Sequence, residues 1–234
     1  MIGSMEQDLV RSAELARQHI EAGAHDRLAF RAALLAVPPD ARDAWLDRVL
    51  GLGPPPEDGP ELPRGCVPYV PCGVDALIEI VDRAEVGPAD VFVDVGSGVG
   101  RAISLVHLLT GAAVIGIEIQ SGLVQAARDV ARVVSSTISN VHGDAVELTG
   151  CIMIGSVFFL YCPFSGARLQ RLLAALEAIA QTRPIRVCCV DLPLPACGWL
   201  AAEPAASGNV TVYRSAREDG RARRSRNTGS TDAR

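Results

Sequence analysis

From Pro68 onward the chain alternates short, continuous apolar runs with helical segments, and this constrains the fold more than any single motif does. Val91 to Val95, Ala113 to Glu118, Ile138 to Val141, Ser156 to Tyr161 and Ile185 to Val190 are each the length of one strand. Between and before them, Val74 to Ala84, Val99 to Leu109, Leu123 to Val134 and Ala167 to Ala180 carry apolar residues at helical spacing. Strands that are apolar throughout and separated by helices belong to a parallel sheet covered on both faces. The expected fold class is therefore α/β, a Rossmann-like doubly wound sheet. Trp199 to Ala202 and Asn209 to Tyr213 read as two further strands joined by a Pro/Gly loop.

Ahead of this region, residues 6–51 read as two or three helices, with Leu9, Ala13, Ala16 and Ile20 on one stripe. Gly51 to Pro60 is rich in breakers and reads as a linker. The expected organisation is a helical N-terminal extension and linker at 1–60, acting as a packing cap or as a substrate lid. A main domain follows at 61–215, and then a disordered, Arg-rich tail at 216–234.

Composition narrows the function. Hydrophobic residues make up 49% of the chain, enough for a substantial core. Aromatics are only 4%, too few for a repeated base-stacking surface. The net charge is −5 and every cation is an Arg, since the chain has no Lys. An acidic body of this kind argues against a nucleic-acid partner. The N-terminus lacks a signal-peptide pattern and no apolar stretch reaches membrane-spanning length, so a cytoplasmic protein without membrane insertion is expected. Seven Cys form no C-x-x-C pair and no zinc spacing with the four His, so they read as structural thiols and no metal is expected.

The chemistry concentrates at Asp94-Val95-Gly96-Ser97-Gly98-Val99-Gly100, where the first apolar run opens into a helix. Glycines serve where the backbone takes positive φ or a ligand lies directly against it. In open α/β sheets such a turn sits at the carboxyl ends of the strands, where ligands bind. Glu118 ends the second strand, where a carboxylate can accept both hydroxyls of a ribose. A dinucleotide site would want G-x-G-x-x-G, whereas this chain has G-x-G-x-G with an acid two residues before it. That acid repels a pyrophosphate, which sits at a helix N-terminus, and suits a ligand carrying an ammonium group. S-adenosylmethionine is such a ligand. A tight strand–helix turn with no ligand is the remaining reading.

The D-x-G-x-G-x-G turn, the strand Val114-Ile115-Gly116-Ile117-Glu118 and the segment His142-Gly143-Asp144-Ala145 together resemble the motifs of class I S-adenosylmethionine-dependent methyltransferases. The resemblance runs from about Tyr69 to Tyr213. It implies a strand order 3-2-1-4-5-7-6 with the seventh strand antiparallel. It also implies cofactor roles: Asp94 at the methionine amino group, Gly96, Ser97, Gly98 and Gly100 as the floor, Glu118 with Ile119 at the ribose, and Asp144 with Ala145 at the adenine edge. Within the class, Pro68-Tyr69-Val70-Pro71 before a helix looks like the non-SET protein lysine methyltransferases, of the histone-lysine type and the ATP synthase c-subunit type. There a Tyr closes over the cofactor, and Tyr69 is the match. Cys72 stands where Ser or Thr is usual.

The fourth strand ends Tyr161-Cys162-Pro163-Phe164, on the substrate side in this class, and is not the N-P-P-Y type. Tyr161 is the candidate catalytic residue, orienting the nucleophile, with Pro163 and Phe164 as an apolar wall. All three can equally cap the core at a strand end, and His142 reads as structural. The expected acceptor is a protein amine, ahead of a small-molecule metabolite. The alternative outside enzymology is a cofactor-binding regulatory module without turnover.

Overall fold

The computed structural model describes residues 2–57, 59, 62–63, 65–204 and 208–216. The Arg-rich segment 217–234, expected to be disordered, and parts of the linker before residue 65 lie outside the described residues.

Seven strands form one sheet in the order β3-β2-β1-β4-β5-β7-β6. They are β1 (Val91–Val95), β2 (Ala113–Glu118), β3 (Ile138–His142), β4 (Val157–Tyr161), β5 (Arg186–Val190), β6 (Leu200–Ala202) and β7 (Val210–Ser215). The first five are parallel, and β7 runs antiparallel between β5 and β6. This is the order implied by the family resemblance. Because β1 has β2 on one side and β4 on the other, the strand order reverses at β1. The chain's glycine turn leaves the sheet at that point.

The covering helices are α1 (Ile2–Glu21), α2 (Arg27–Ala36), α3 (Arg42–Leu50), α4 (Val74–Arg83), α5 (Arg101–Thr110), α6 (Ser121–Val134), α7 (Ala145–Leu148) and α8 (Gly166–Ala180). Side chains alternate along each strand, so the doubly covered sheet has two cores. Phe92, Val114, Phe159, Cys188 and Val212 pack toward α1–α6, while Val93, Val95, Phe158, Leu160 and Cys189 pack toward α7 and α8. Phe92 and Phe159 stack at 5.9 Å between centroids. Each fully buried Phe of this kind stabilises the fold by about 1.5–3 kcal/mol.

The first core continues into the N-terminal helices. Ala13, Phe30, Leu34, Trp45 and Leu46 are buried with Leu105, Val106 and Leu109 of α5. The connection is also polar. Arg101, at the start of α5 and only 4% exposed, donates to Asp43 Oδ1 (2.7 Å) and Asp47 Oδ1 (2.6 Å) of α3 and to the Cys72 carbonyl (2.6 Å). Asp43 also accepts the backbone N–H of Val74, the first residue of α4. One buried guanidinium thus ties α3, the entry to α4 and the helix behind the glycine turn together.

The elements fall where the apolar pattern places them, with two differences. The helix after the glycine turn begins at Arg101 instead of Val99, because Gly100 stands at φ +75°, outside helical space. The short helix α7 was not expected; Asp144 caps it by accepting from the Val146 N–H (2.9 Å). Of the seven thiols, Cys72, Cys188 and Cys189 are buried, whereas Cys151 is exposed in a surface turn.

Candidate active site

Gly96, Gly98 and Gly100 all take positive φ (+88°, +54° and +75°), so the chain turns sharply off β1. The turn is held against the neighbouring strand, since the N–H groups of Gly96 and Ser97 both donate to the Ile117 carbonyl (2.9 and 3.0 Å). Ser97 directs its side chain onto Gly116 of β2, where a Cβ would lie 2.5 Å from its Oγ. The glycine in the middle of β2 is therefore there to admit Ser97.

Two carboxylates flank this turn. Glu118 is 8% exposed, and its oxygens accept from the Gly98 N–H (3.0 Å) and the Gln120 N–H (2.8 Å). Both bonds fix the carboxylate while leaving each oxygen a further lone pair. Asp94 is 3% exposed and no ion pair reaches it among the described residues. Burial, with the charge of Glu118 added, pushes its pKa up to about 8. A buried carboxylate without a cation is costly, and a ligand that brings an ammonium group relieves that cost.

Beside the turn lies a cavity of about 210 Å³. Its floor includes Gly96, Glu118 and Ile119, with Ala145 at one end. One wall is the strap Cys66 to Val70, and the other is Tyr161 to Phe164 with Arg168 and Asp191. The two walls are joined: Cys66 and Phe164 form an antiparallel bridge, Val67 N–H donates to the Pro163 carbonyl (3.3 Å), and Ser165 N–H donates to the Gly65 carbonyl (3.2 Å). Tyr69 lies over Gly98, and burial first of all, with Asp94 and Glu118 nearby, pushes its phenol up to about 12. Tyr161 is half-buried on the opposite wall, and burial raises its pKa too, with Cys72, Asp191 and Cys162 contributing.

The fold thus gathers Tyr69, Gly96, Glu118, Ile119, Ala145 and Tyr161 around one cavity. Asp94, Ser97, Gly98, Gly100 and Asp144 do not line it: Gly98 sits beneath Tyr69, Gly100 packs against Ala127 and Ser97 against Gly116 of β2. Asp144 caps α7 and pairs with Arg168 Nη2 (2.6 Å), whose guanidinium lies 5.2 Å from the Phe164 ring centre. His142 bonds the Ile119 carbonyl (3.0 Å) in a structural role. Arg168 and Asp191 were not found from the sequence. Neither belongs to a motif, and only the strand order brings them to this cavity.

Asp94 and Glu118 thus stand at the ends of β1 and β2, on either side of the glycine turn. A family model described as Histone methylation protein DOT1 matches residues 69–148, which contain both carboxylates and the glycine turn. A solved structure of an RNA methyltransferase from Salinibacter ruber, in complex with S-adenosyl-L-homocysteine, is similar at 27% identity and a TM-score of 0.50, covering 62% of this chain and 92% of that one. A putative methyltransferase from Escherichia coli matches in fold at 18% identity and the same TM-score of 0.50, covering 66% and 90%. None of the curated proteins matches this chain. Among the described residues no helix is long and apolar enough to cross a membrane. Strand order, turn and matches converge on one family, and the chain is a class I, seven-β-strand methyltransferase that uses S-adenosylmethionine.

Proposed function

We propose that the protein methylates the amine of a lysine in another protein. The observation that carries this reading is the charge of the cavity. Its lining holds the carboxylates of Glu118 and Asp191, and the one arginine among its described residues, Arg168, is committed to Asp144. Such a lining favours a cationic acceptor over a phosphate-bearing one. The mouth is flanked by Val67 and Val70, 50% and 55% exposed, which offer apolar surface to a side-chain stem or peptide. The description of the matched family model, histone methylation, also puts a protein acceptor first.

In this reading Asp94 holds the ammonium end of the cofactor, Glu118 the ribose hydroxyls, and Ala145 borders the adenine subsite. Tyr69 covers the glycine turn and keeps water from it. When bound, S-adenosylmethionine supplies a methyl group on a sulfonium, leaving as S-adenosylhomocysteine once the acceptor nitrogen has taken the methyl. A lysine amine ionises with a pKa of about 10.4, so it arrives as a cation and must give one proton to solvent at the cavity mouth before its lone pair can take the methyl. Tyr161 stays protonated because its pKa is raised, and its phenol oxygen can accept an N–H bond that turns the nitrogen lone pair into the cavity. Most of the rate gain then comes from alignment and exclusion of water. The N-terminal helices serve as a packing cap, a reading supported by the core they share with α5.

RNA is the second reading, favoured by the Salinibacter ruber neighbour, which is described as an RNA methyltransferase. Incubating the protein with methyl-labelled cofactor and a cell lysate, then separating protein, RNA and small molecules, distinguishes these acceptors. The chain contains no lysine, so labelled methyl-lysine recovered after hydrolysis comes from the acceptor alone. Label confined to RNA would overturn the protein-amine reading.

A further inference from the structure

We infer that Asp191 is the ammonium-recognising residue of the acceptor subsite, selecting a primary amine that arrives as a cation. This inference rests on the protein-amine reading above and assigns it a residue.

Asp191 follows the last residue of β5, and its neighbour Val190 is in register with Tyr161 at the end of β4. Both Asp191 and Tyr161 line the cavity, and the strand order puts β4 and β5 on the far side of β1 from β3, after which Ala145 lies. The carboxylate is aimed by its surroundings. Asn209 Nδ2 donates to Oδ2 (3.0 Å), and the Asp191 N–H donates to the Asn209 carbonyl (3.0 Å). Oδ1 has no hydrogen-bond partner among the described residues, and no arginine there pairs with the group. One oxygen is therefore anchored and the other is available to a donor.

The backbone makes the same arrangement at some cost. Asp191 stands at φ +52°, and Cys162, across from it at the end of β4, at φ +41°. Only one other described non-glycine residue, Glu85, has positive φ, so two of the three meet at this cavity. The Cys162 thiol donates to the Asp191 carbonyl (3.1 Å), locking the two strand ends together. Left-handed conformations at non-glycine positions persist where the surroundings over-determine them, commonly at functional sites. Here they bring a carboxylate beside the phenol of Tyr161. A lysine ammonium entering past Val67 and Val70 meets Oδ1 of Asp191, the uncommitted charge on this side of the cavity among the described residues. A neutral alcohol or amide gains nothing comparable.

The test uses the full chain saturated with S-adenosylhomocysteine and n-butylammonium as the lysine side-chain probe, with n-butanol as its neutral counterpart. Thermal unfolding reads both ligands. The expected result is saturable stabilisation by n-butylammonium beyond that by n-butanol. Asp191→Asn should weaken the amine's binding by about tenfold or more, the loss of one charge-assisted hydrogen bond, without affecting S-adenosylhomocysteine. Asp191→Glu should restore part of it. If n-butylammonium does no better than n-butanol, or binds Asp191→Asn as it binds wild type, the role of Asp191 is overturned while the methyltransferase stands. The wild-type comparison with n-butanol decides the matter even if the variant folds poorly. Failure of S-adenosylhomocysteine itself to bind would instead overturn the cofactor reading, and this inference with it.

Discussion

The ring of Tyr69 lies so close to Gly98 that a methyl group at residue 98 would overlap Cδ2 and Cε2. Gly98→Ala therefore meets two penalties, the ring and a φ of +54°. The conformational part costs about 1–2 kcal/mol and the overlap about 1–3 kcal/mol. Tyr69→Ala removes the second penalty alone. The double variant should be more stable than the sum of the single effects predicts, by about 1 kcal/mol or more. Urea unfolding of the four proteins measures this, and simple additivity would mean that the ring is free to move away.

The pH dependence of cofactor binding follows from Asp94. Its pKa in the folded protein is raised from 3.8 to about 8. The protonated group therefore contributes stability that is complete below 3.8 and is lost as pH rises toward 8. An ammonium ligand needs the ionised form. S-adenosylhomocysteine affinity should rise with pH across the same window, and binding at neutral pH should release a proton. Calorimetry in two buffers of different ionisation enthalpy reads that proton directly. Asp94→Asn should abolish both the release and the pH slope; a variant that still releases a proton would place the ammonium elsewhere.

Tyr161 and Tyr69 should separate kinetically. Tyr161→Phe removes a contact proposed to align the nucleophile and should lower kcat while leaving cofactor affinity near wild type. Tyr69→Phe acts on the cofactor side and should change that affinity instead. Steady-state kinetics with an identified acceptor, alongside cofactor titration, reads both. Wild-type turnover by Tyr161→Phe would make Tyr161 a core residue at a strand end.

Arg101 joins the N-terminal helices to the glycine turn, and its replacement tests whether those helices form a cap or a lid. Arg101→Met keeps the apolar stem but frees the Cys72 carbonyl and the two carboxylates of α3. The carboxylates are partly exposed and can hydrate, so the expected loss is about 1–3 kcal/mol. A cap predicts that stability falls and cofactor affinity falls with it. If affinity and stability hold while acceptor turnover collapses, the helices are a lid.

The sheet, the turn and the placing of Asp94 and Glu118 at strand ends were legible because each is encoded locally. Five apolar runs give five parallel strands, and Asp94, Gly96 and Glu118 lie on strand ends whose positions those runs define. The acceptor side is encoded differently. Asp191 is a single acid after an apolar run, and its partners Cys162 and Asn209 are brought to it by the crossing order of β4, β5 and β7. Arg101 is equally silent in sequence, because its partners Asp43 and Asp47 lie in another helix more than fifty residues away. Asp144 was read as an adenine-side acid, and nothing local indicates that Arg168 pairs with it or that it caps α7. Periodicity reports which face of an element is buried, but long-range polar pairing leaves no periodic trace.

The position of β7 has a consequence for how the molecule is made. Synthesis runs from the N-terminus, and a domain folds as a unit once its strands are available. The glycine turn and Glu118 belong to residues 94–118, so they are synthesised while most of the later strands are still untranslated. Asp191 cannot be anchored until Asn209 and the strand that follows it have emerged and inserted beside β5. The residues proposed to hold the cofactor therefore leave the ribosome well before the residue proposed to meet the acceptor. A chain stalled or clipped before residue 209 would retain the strands that carry Asp94 and Glu118 but lack the strand that orients Asp191.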